Sequence, residues 1–328
     1  MEKDSKETSS VQAILPLIKS STTNLSDVVL KTLAGIDVTE VPTIIQLLEN
    51  VHPKVCHDLI NVLAWTGDSQ VINPLIDILT SQSKQAELRD KAAFALSSFG
   101  ENGLLACLSL MTHEDEEVRF RVAQTLANFV DERVVTALLL GLKDFSWKVR
   151  ACSATSLSRM NDSRTVEALI QALADQQEVV RLKVTEALGK CGNIKASEAL
   201  LKVLKDENVW IRYHAAIALS KCGDKQAATA LIEVLNDEDI YVRGAAAQTL
   251  ATIGDENAIE PLIQALYDKD VNVRRYAAFA LGRCGNEQAI AALESVIQSD
   301  SGKVSHNYSV KNTAIEAVAR IRQKHSRL

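Results

Sequence analysis

The chain has 328 residues, of which 47% are hydrophobic and only 4% aromatic, and its formal net charge at pH 7 is −6. An acidic balance of this kind disfavours binding of nucleic acid over the surface as a whole. Thirteen glycines and five prolines in so long a chain argue against a β-rich fold and against a large disordered region.

The chain opens with the polar stretch MEKDSKETSS, which lacks the apolar core of a secretory signal. We therefore predict a disordered tail over residues 1–8. No run of 18 or more apolar residues follows, so the sequence predicts no membrane-inserted helix.

Paired segments with apolar residues at three- and four-residue steps begin at residue 9 and predict helix pairs. The first three pairs are VQAILPLIKS with LSDVVLKTLAG, VPTIIQLLEN with VCHDLINVLAWTG, and NPLIDILTSQ with LRDKAAFALSSFG. Regular units of similar length occupy about residues 106–298, and the insertion SDSGKVSHNYS at 299–309 lengthens the last one. The pattern predicts about ten helix pairs in a single domain, 9–322, and a tail at 323–328.

Arginine recurs every 31 residues along the regular units, each time after an aliphatic residue: Arg119, Arg150, Arg181, Arg212, Arg243 and Arg274. A fixed period of this length indicates a helical-repeat solenoid. We therefore predict an all-α fold, a right-handed α-solenoid. Aspartates lie six residues before the arginines, at Asp144, Asp175, Asp206, Asp237 and Asp268. So many copies predict a structural ladder of hydrogen bonds between turns rather than catalytic groups.

Two small residue types also share positions in the repeat. Glycines at Gly100, Gly192, Gly223, Gly254 and Gly285 are predicted to end the second helices in a left-handed conformation. Cys191, Cys222 and Cys284 precede three of them on the buried arc, which predicts reduced packing residues in a cytoplasmic protein.

The exposed face of each second helix follows from a rotation of about 100° per residue. We count positions from the repeat arginine as zero. Positions +2 and +9 then point the same way and carry basic or histidine side chains, namely Lys91, Arg121, Lys183 and His214 at +2, and Arg159, Lys190, Lys221 and Arg283 at +9. This basic stripe predicts attraction to an acidic surface on a partner protein.

Aromatic residues concentrate on the same helices, in a chain with few of them. We interpret them as interface anchors. The predicted partner-binding residues are Arg121, Lys183, Lys190, Trp210, Tyr213, His214, Lys221, Arg275, Tyr276, Phe279 and Arg283.

The segments VRLKVTEALGKCGN, IRYHAAIALSKCGD, VRGAAAQTLATIGD and VRRYAAFALGRCGN resemble HEAT repeats, specifically the short class named for phycobilisome lyases. The resemblance covers about residues 9–322. It implies that second helices line a concave wall where partners bind. It is specific for fold and weak for function, because such repeats serve scaffolds, lyases and hydroxylases.

Two enzyme classes contain similar repeats, deoxyhypusine hydroxylases and phycobilin lyases. Deoxyhypusine hydroxylase needs several His-Glu pairs for two irons, whereas this chain has only His113–Glu114, in a turn. We therefore predict no metal and no other cofactor. Phycobilin lyases of the E/F type remain an alternative, since a groove with Tyr213, His214, Arg275, Tyr276 and Arg283 would suit a tetrapyrrole.

The preferred interpretation is a non-enzymatic scaffold or adaptor that holds a partner protein on its concave wall. The alternative is a phycobilin lyase or bilin-handling chaperone, whose partner would be a bilin-carrying protein.

Overall fold

The computed structural model describes residues 10–36, 38–160, 162–222, 225–300, 303–305 and 308–325. Within these residues the chain forms twenty α-helices in ten successive pairs, with short 3-10 helices and one two-stranded sheet. The predicted all-α solenoid of about ten helix pairs is thus confirmed. The predicted tail at 1–8 lies outside the described residues, as do the last three residues of the C-terminal tail.

The chain divides into two compact units, residues 1–156 and 157–328. The first unit contains the first nine helices and all but the last residue of the tenth: α1 Ser10–Ser20, α2 Asp27–Ala34, α3 Val41–Leu47, α4 Pro53–Thr66, α5 Ile72–Thr80, α6 Ala86–Ala95, α7 Gly100–Leu110, α8 Glu116–Leu126, α9 Glu132–Gly141 and α10 Trp147–Leu157. Three 3-10 helices lie between them, at Val38–Glu40, Ser69–Val71 and Leu96–Phe99.

The second unit contains the remaining five pairs: α11 Ser163–Ala172, α12 Glu178–Cys191, α13 Ser197–Val203, α14 Val209–Cys222, α15 Ala227–Val234, α16 Ile240–Ile253, α17 Ile259–Ala265, α18 Val271–Cys284, α19 Gln288–Ser299 and α20 Val310–His325. Two 3-10 helices precede α13 and α17, at Ile194–Ala196 and Glu256–Ala258. The predicted insertion contains an antiparallel pair of strands, β1 Lys303–Ser305 and β2 Tyr308–Ser309.

The core of each unit lies between the first and second helices of its pairs. In α14, for example, Ile211, Ala215 and Leu219 are buried. They stand at positions −1, +3 and +7, which a helix brings onto one face. Leu200 on α13 and Leu231 on α15 are completely buried as well. Small residues on the second helices and leucines on the first therefore fill the space between the layers.

The predicted ladder of hydrogen bonds is present in the described part of both units. Arg212 donates from Nε and Nη2 to Asp237 of the next repeat, at 2.8 and 3.0 Å. Its Nη1 donates to the carbonyls of Asp206 and Glu207 in its own turn. The same pairing recurs at Arg119–Asp144, Arg181–Asp206, Arg243–Asp268 and Arg274–Asp300. Each arginine thus ties its own turn to the following one.

Glycine ends several second helices, and two geometries occur. Gly192 and Gly254 adopt positive φ angles of 58° and 72°, as predicted. Gly285 is instead extended, so the left-handed prediction is wrong there. A Cβ at Gly285 would lie 2.3 Å from the Leu281 carbonyl oxygen. Glycine is required at that position by close approach rather than by a positive φ. Gly223 lies outside the described residues.

One stretch of the described chain, Ala86–Leu110, is long and apolar enough to span a membrane by length and composition alone. It is not one continuous α-helix, because the 3-10 helix Leu96–Phe99 separates α6 from α7. Leu88, Leu104 and Cys107 within it are buried in the repeat core. These features are those of two successive helices packed into a repeat core.

Candidate partner-binding surface

The second helices of the second unit form a closely packed layer. They contact one another in series, α12 with α14, α14 with α16, α16 with α18 and α18 with α20, and they do so more extensively than the first helices α13 with α15 or α17 with α19. Small residues at position +8 permit this. A Cβ at Gly189 would lie 3.0 Å from the Ala218 Cβ, and one at Gly282 would lie 2.9 Å from the Ala317 Cα.

An exposed aromatic cluster occupies the first turns of α14 and α16. Trp210 and Tyr241 are 47% and 55% exposed and stack at 5.6 Å between ring centroids, with an interplanar angle of 29°. Tyr213 meets the edge of Trp210 at 6.1 Å, and His214 meets Tyr213 at 5.0 Å. The prediction from sequence selected Trp210, Tyr213 and His214, and the structure brings them together with Tyr241.

His214 is half-buried beside a carboxylate and an ammonium group. Its Nε2 lies 3.6 Å from Oε1 of Glu186, whose other oxygen accepts a hydrogen bond from Lys183 Nζ at 3.0 Å. Burial lowers the pKa of His214, Glu186 raises it and Lys183 lowers it, and the net pKa lies below the ordinary histidine value. His214 therefore contributes an aromatic, neutral ring near pH 7 rather than a positive charge.

A second group of predicted residues lies on α18. The guanidinium carbon of Arg275 sits 4.4 Å from the ring centroid of Tyr276. The Tyr276 ring extends towards α16, where a Cβ at Gly244 would lie 3.2 Å from it. Phe279 is half-buried on the same helix. The five residues named for a bilin thus fall on α14 and α18, two helices with α16 between them.

The basic row at position +9 lies at the opposite end of the second helices from the aromatic cluster. Arg159, Lys190, Lys221 and Arg283 are all exposed. Lys190 and Arg159 line a cavity of about 540 Å³. Eleven helical residues separate Trp210 from Lys221, which places the basic row about 16 Å from the aromatic cluster.

The predicted basic stripe therefore needs correction at position +2. Arg121 belongs to the first unit and is only 6% exposed, so the prediction that it faces a partner is wrong. It is paired with Asp90 at 2.6 Å and with Glu117 at 2.8 Å. Lys183 is half-buried and paired with Glu186. Position +8, next to the exposed position +9, lies at the helix–helix contact.

Acidic residues line the edge nearest to the aromatic cluster, a feature that the sequence analysis missed. We call Glu178, Glu207, Glu238 and Asp239 the acidic edge. With Asn208, Val209 and Arg212 they line a cavity of about 610 Å³. Glu207 and Glu238 both lie five residues before a repeat arginine, so their shared position was a signal available in the sequence.

Metal binding finds no support in the part of the chain that the structure describes, where no group of three His, Cys, Asp or Glu residues is close enough to hold an ion. Of the three cysteines predicted to be packing residues, Cys222 and Cys284 are buried and Cys191 is half-buried. Burial raises the pKa of the thiols of Cys191 and Cys284, and it raises that of Cys107 to about 12. These thiols stay protonated at neutral pH.

The HEAT-repeat family profile matches five overlapping stretches, which together span residues 72–317: 72–144, 101–189, 135–220, 166–239 and 228–317. No curated protein has a matching sequence.

Solved structures resemble the chain at low sequence identity. Kap95p, whose binding induces the switch loops of RanGDP to adopt the GTP-bound conformation, is 12% identical with a TM-score of 0.65; the match covers 95% of this chain and 48% of Kap95p. YibA of Escherichia coli is 20% identical with a TM-score of 0.56, over 80% of this chain and 98% of YibA. The CpcE–CpcF phycocyanin lyase of a Nostoc species is 20% identical over 66% of this chain and 94% of that one, and its TM-score of 0.43 supports no argument.

Proposed function

The chain belongs to the HEAT-repeat family, and we propose that it is a non-enzymatic scaffold or adaptor that binds a partner protein on the second-helix layer of its second unit. Kap95p, which shares the fold, binds a protein, RanGDP. The fold shared with Kap95p supports protein binding as a class of function, but it does not identify the partner. A cytoplasmic location is part of this proposal, since free cysteines such as Cys222 and Cys284 persist in a reducing compartment.

The observation that carries the proposal is the aromatic cluster on α14 and α16. Trp210 and Tyr241 expose about half of their surface in a chain with 4% aromatic residues. Tryptophan and tyrosine are enriched among the residues that dominate binding energies, and they supply large rigid contact areas. Tyr213 supports the edge of Trp210, so the pair is held in place before any partner arrives.

Two predicted groups flank this cluster. The basic row at Lys190 and Lys221 supports attraction of an acidic surface on the partner, chiefly by speeding encounter. Arg275, Tyr276 and Phe279 add half-buried contact area on α18. The scaffold is preferred to the phycobilin lyase, because the residues named for a bilin lie on α14 and α18, two helices that α16 separates.

Affinity capture from the source cells tests the proposal, with the wild-type chain and two double variants as baits. Trp210→Ala/Tyr241→Ala removes the stacked pair. Phe145→Ala/Tyr267→Ala removes two other exposed aromatics, 103% and 60% exposed, and serves as the matched control. Truncating a dominant interface residue costs about 2 kcal/mol or more, so we expect the first variant to bind the partner at least about 30-fold more weakly.

The control bait is expected to retain the partner at the wild-type level. Recovery of the same proteins in the same amounts by all three baits would contradict the proposal. Circular dichroism of each bait checks that the helices are intact.

A further inference from the structure

We propose that the acidic edge and the stacked pair Trp210–Tyr241 bind a lysine- or arginine-rich segment of the partner protein. This inference names the chemistry of the partner at one edge of the surface, and it rests on the proposed function. It concerns the end of the second helices opposite the basic row.

An open cavity lies at the N-terminal turns of α14 and α16, the turns that also carry the exposed aromatic pair. The cavity of about 610 Å³ is lined by Asn208 and Val209, which directly precede Trp210, and by Asp239, two residues before Tyr241. The backbone N–H of Trp210 donates to the Asn208 side chain, and that of Tyr241 donates to Asp239. These bonds fix both aromatic residues in the first turns of their helices, next to the cavity.

The charges around the cavity favour a cation. Four carboxylates line it against one guanidinium, that of Arg212, which pairs with Asp237 at 2.8 Å. The N-termini of α12, α14 and α16 contribute roughly +0.5 elementary charge each, about +1.5 together. That total is well below the four negative charges, so the net potential in the cavity remains negative.

The carboxylates are also accessible to a ligand. The side chains of Glu207 and Glu238 are 89% and 87% exposed. Glu207 lies 3.7 Å from Arg181 and Glu238 lies 3.3 Å from Arg212, and each of these arginines already forms a closer pair with an aspartate, at 2.8 Å. A ligand cation can therefore replace these contacts at small cost.

The aromatic pair adds an attraction that acidic residues alone lack. A lysine ammonium or arginine guanidinium over the face of a tryptophan or tyrosine is attracted to the ring even at an exposed site. An extended basic segment would place alternating cations on the carboxylates and on the rings. An acidic segment would instead meet four like charges here and find its complement about 16 Å away, at the basic row.

A fluorescence titration tests the inference on the full chain. Trp65→Phe and Trp147→Phe leave Trp210 as the single tryptophan, and both replaced residues are exposed. The probes are a lysine- and arginine-rich peptide without aromatic residues and an acidic peptide of equal length. We expect a saturable change in Trp210 emission with the basic peptide only.

The charge dependence is tested in the same background. Glu207→Gln/Glu238→Gln should weaken binding of the basic peptide about 2- to 30-fold, since it removes two exposed ion pairs with the peptide. Glu233→Gln/Glu260→Gln removes the same charge from the first helices α15 and α17 and should leave the affinity unchanged. No saturable change at millimolar basic peptide, equal weakening by both pairs of substitutions, or tighter binding of the acidic peptide would overturn the inference.

Failure here is distinguishable from failure of the proposed function. If Trp210→Ala/Tyr241→Ala abolishes partner capture while the peptide titration is negative, the surface binds a protein but not through a basic segment. If the stacked pair is irrelevant to capture as well, both proposals fail.

Discussion

His214 is a titratable residue placed inside the proposed surface. Its ring contacts Tyr213. Glu186 raises the pKa of the imidazole and Lys183 lowers it. Burial, the largest influence, lowers its pKa below the ordinary value of about 6.5. The folded chain therefore binds fewer protons at this site than the unfolded chain over the interval between the two pKa values.

This difference predicts a pH dependence of stability. Stability rises with pH wherever the unfolded state binds more protons. The His214 contribution is therefore fully present above about pH 6.5 and is lost as the pH falls through the folded-state pKa. We expect His214→Gln to reduce the decrease in the free energy of unfolding between neutral and mildly acidic pH, measured by urea denaturation. His52→Gln, at an exposed position in the first unit, is the comparison, and equal slopes for wild type and His214→Gln would contradict the assignment.

For single residues, the sequence predicted the position on a helix better than the contacts with neighbouring repeats. Helical rotation assigned Tyr276, at position +2, to the open face, and that residue is half-buried. The same rotation placed Arg121 there too, yet its side chain is only 7% exposed and pairs with Asp90 of the preceding repeat. Rotation within one helix carries no information about which side chain of the neighbouring helix lies opposite. The acidic edge was missed for a related reason, because it forms only when three turns are stacked.

Arginines join the turns between first and second helices, because one guanidinium donates several hydrogen bonds to its own turn and to the next. Arg243 donates two hydrogen bonds to Asp268 at 2.7 and 2.9 Å and two more to the carbonyls of Asp237 and Glu238. Its side chain is only 5% exposed. Burial raises the pKa of Asp268, but hydrogen bonds from Arg243 and from the Asp270 N–H outweigh that effect, and the net pKa is lowered. The pair is therefore ionised at neutral pH.

Replacing this arginine with lysine is expected to be costly. An ammonium group cannot reproduce the planar fork that reaches a carboxylate and two carbonyls at once. We expect Arg243→Lys to lower the free energy of unfolding by about 1.5–3 kcal/mol, since it leaves buried acceptors unsatisfied. Arg133→Lys is the control, because Arg133 makes a similar fork to Glu101 but is 44% exposed.

We expect the control substitution to cost less than about 1 kcal/mol. Urea unfolding followed by circular dichroism measures both changes. Equal losses for the two substitutions would show that burial of the fork does not determine its strength.

At the scale of elements the sequence was most informative where the period is strict. The 31-residue spacing predicted both the helix pairs and the ladder, since every unit repeats the same geometry. It did not identify Asp300 as the acceptor for Arg274, because the spacing there is 26 residues instead of 25 and the insertion begins at that point. It also did not predict the strands β1 and β2, which have no counterpart in other repeats.

Across the second unit as a whole, side chains of the same charge occupy the same position in successive repeats. Acidic side chains gather where second helices begin, and basic side chains where they end, an arrangement that also suits the helix dipole. Because the helices are stacked in parallel, residues at shared positions form an acidic row at one end and a basic row at the other, which Thr252 interrupts on α16. The net charge of −6 conceals this separation. A partner with both a basic and an acidic region would be held in one orientation.

Hydrogen exchange of the chain with and without its captured partner is the most direct test of whether the partner binds the second-helix layer of the second unit. First-turn amides of a helix lack intrahelical acceptors and exchange readily unless something covers them. We expect the partner to slow amide exchange in the first turns of α14 and α16, around Trp210 and Tyr241. Exchange in the first helices α13, α15 and α17 should stay unchanged. Protection confined to those first helices, or to the first unit, would contradict this expectation.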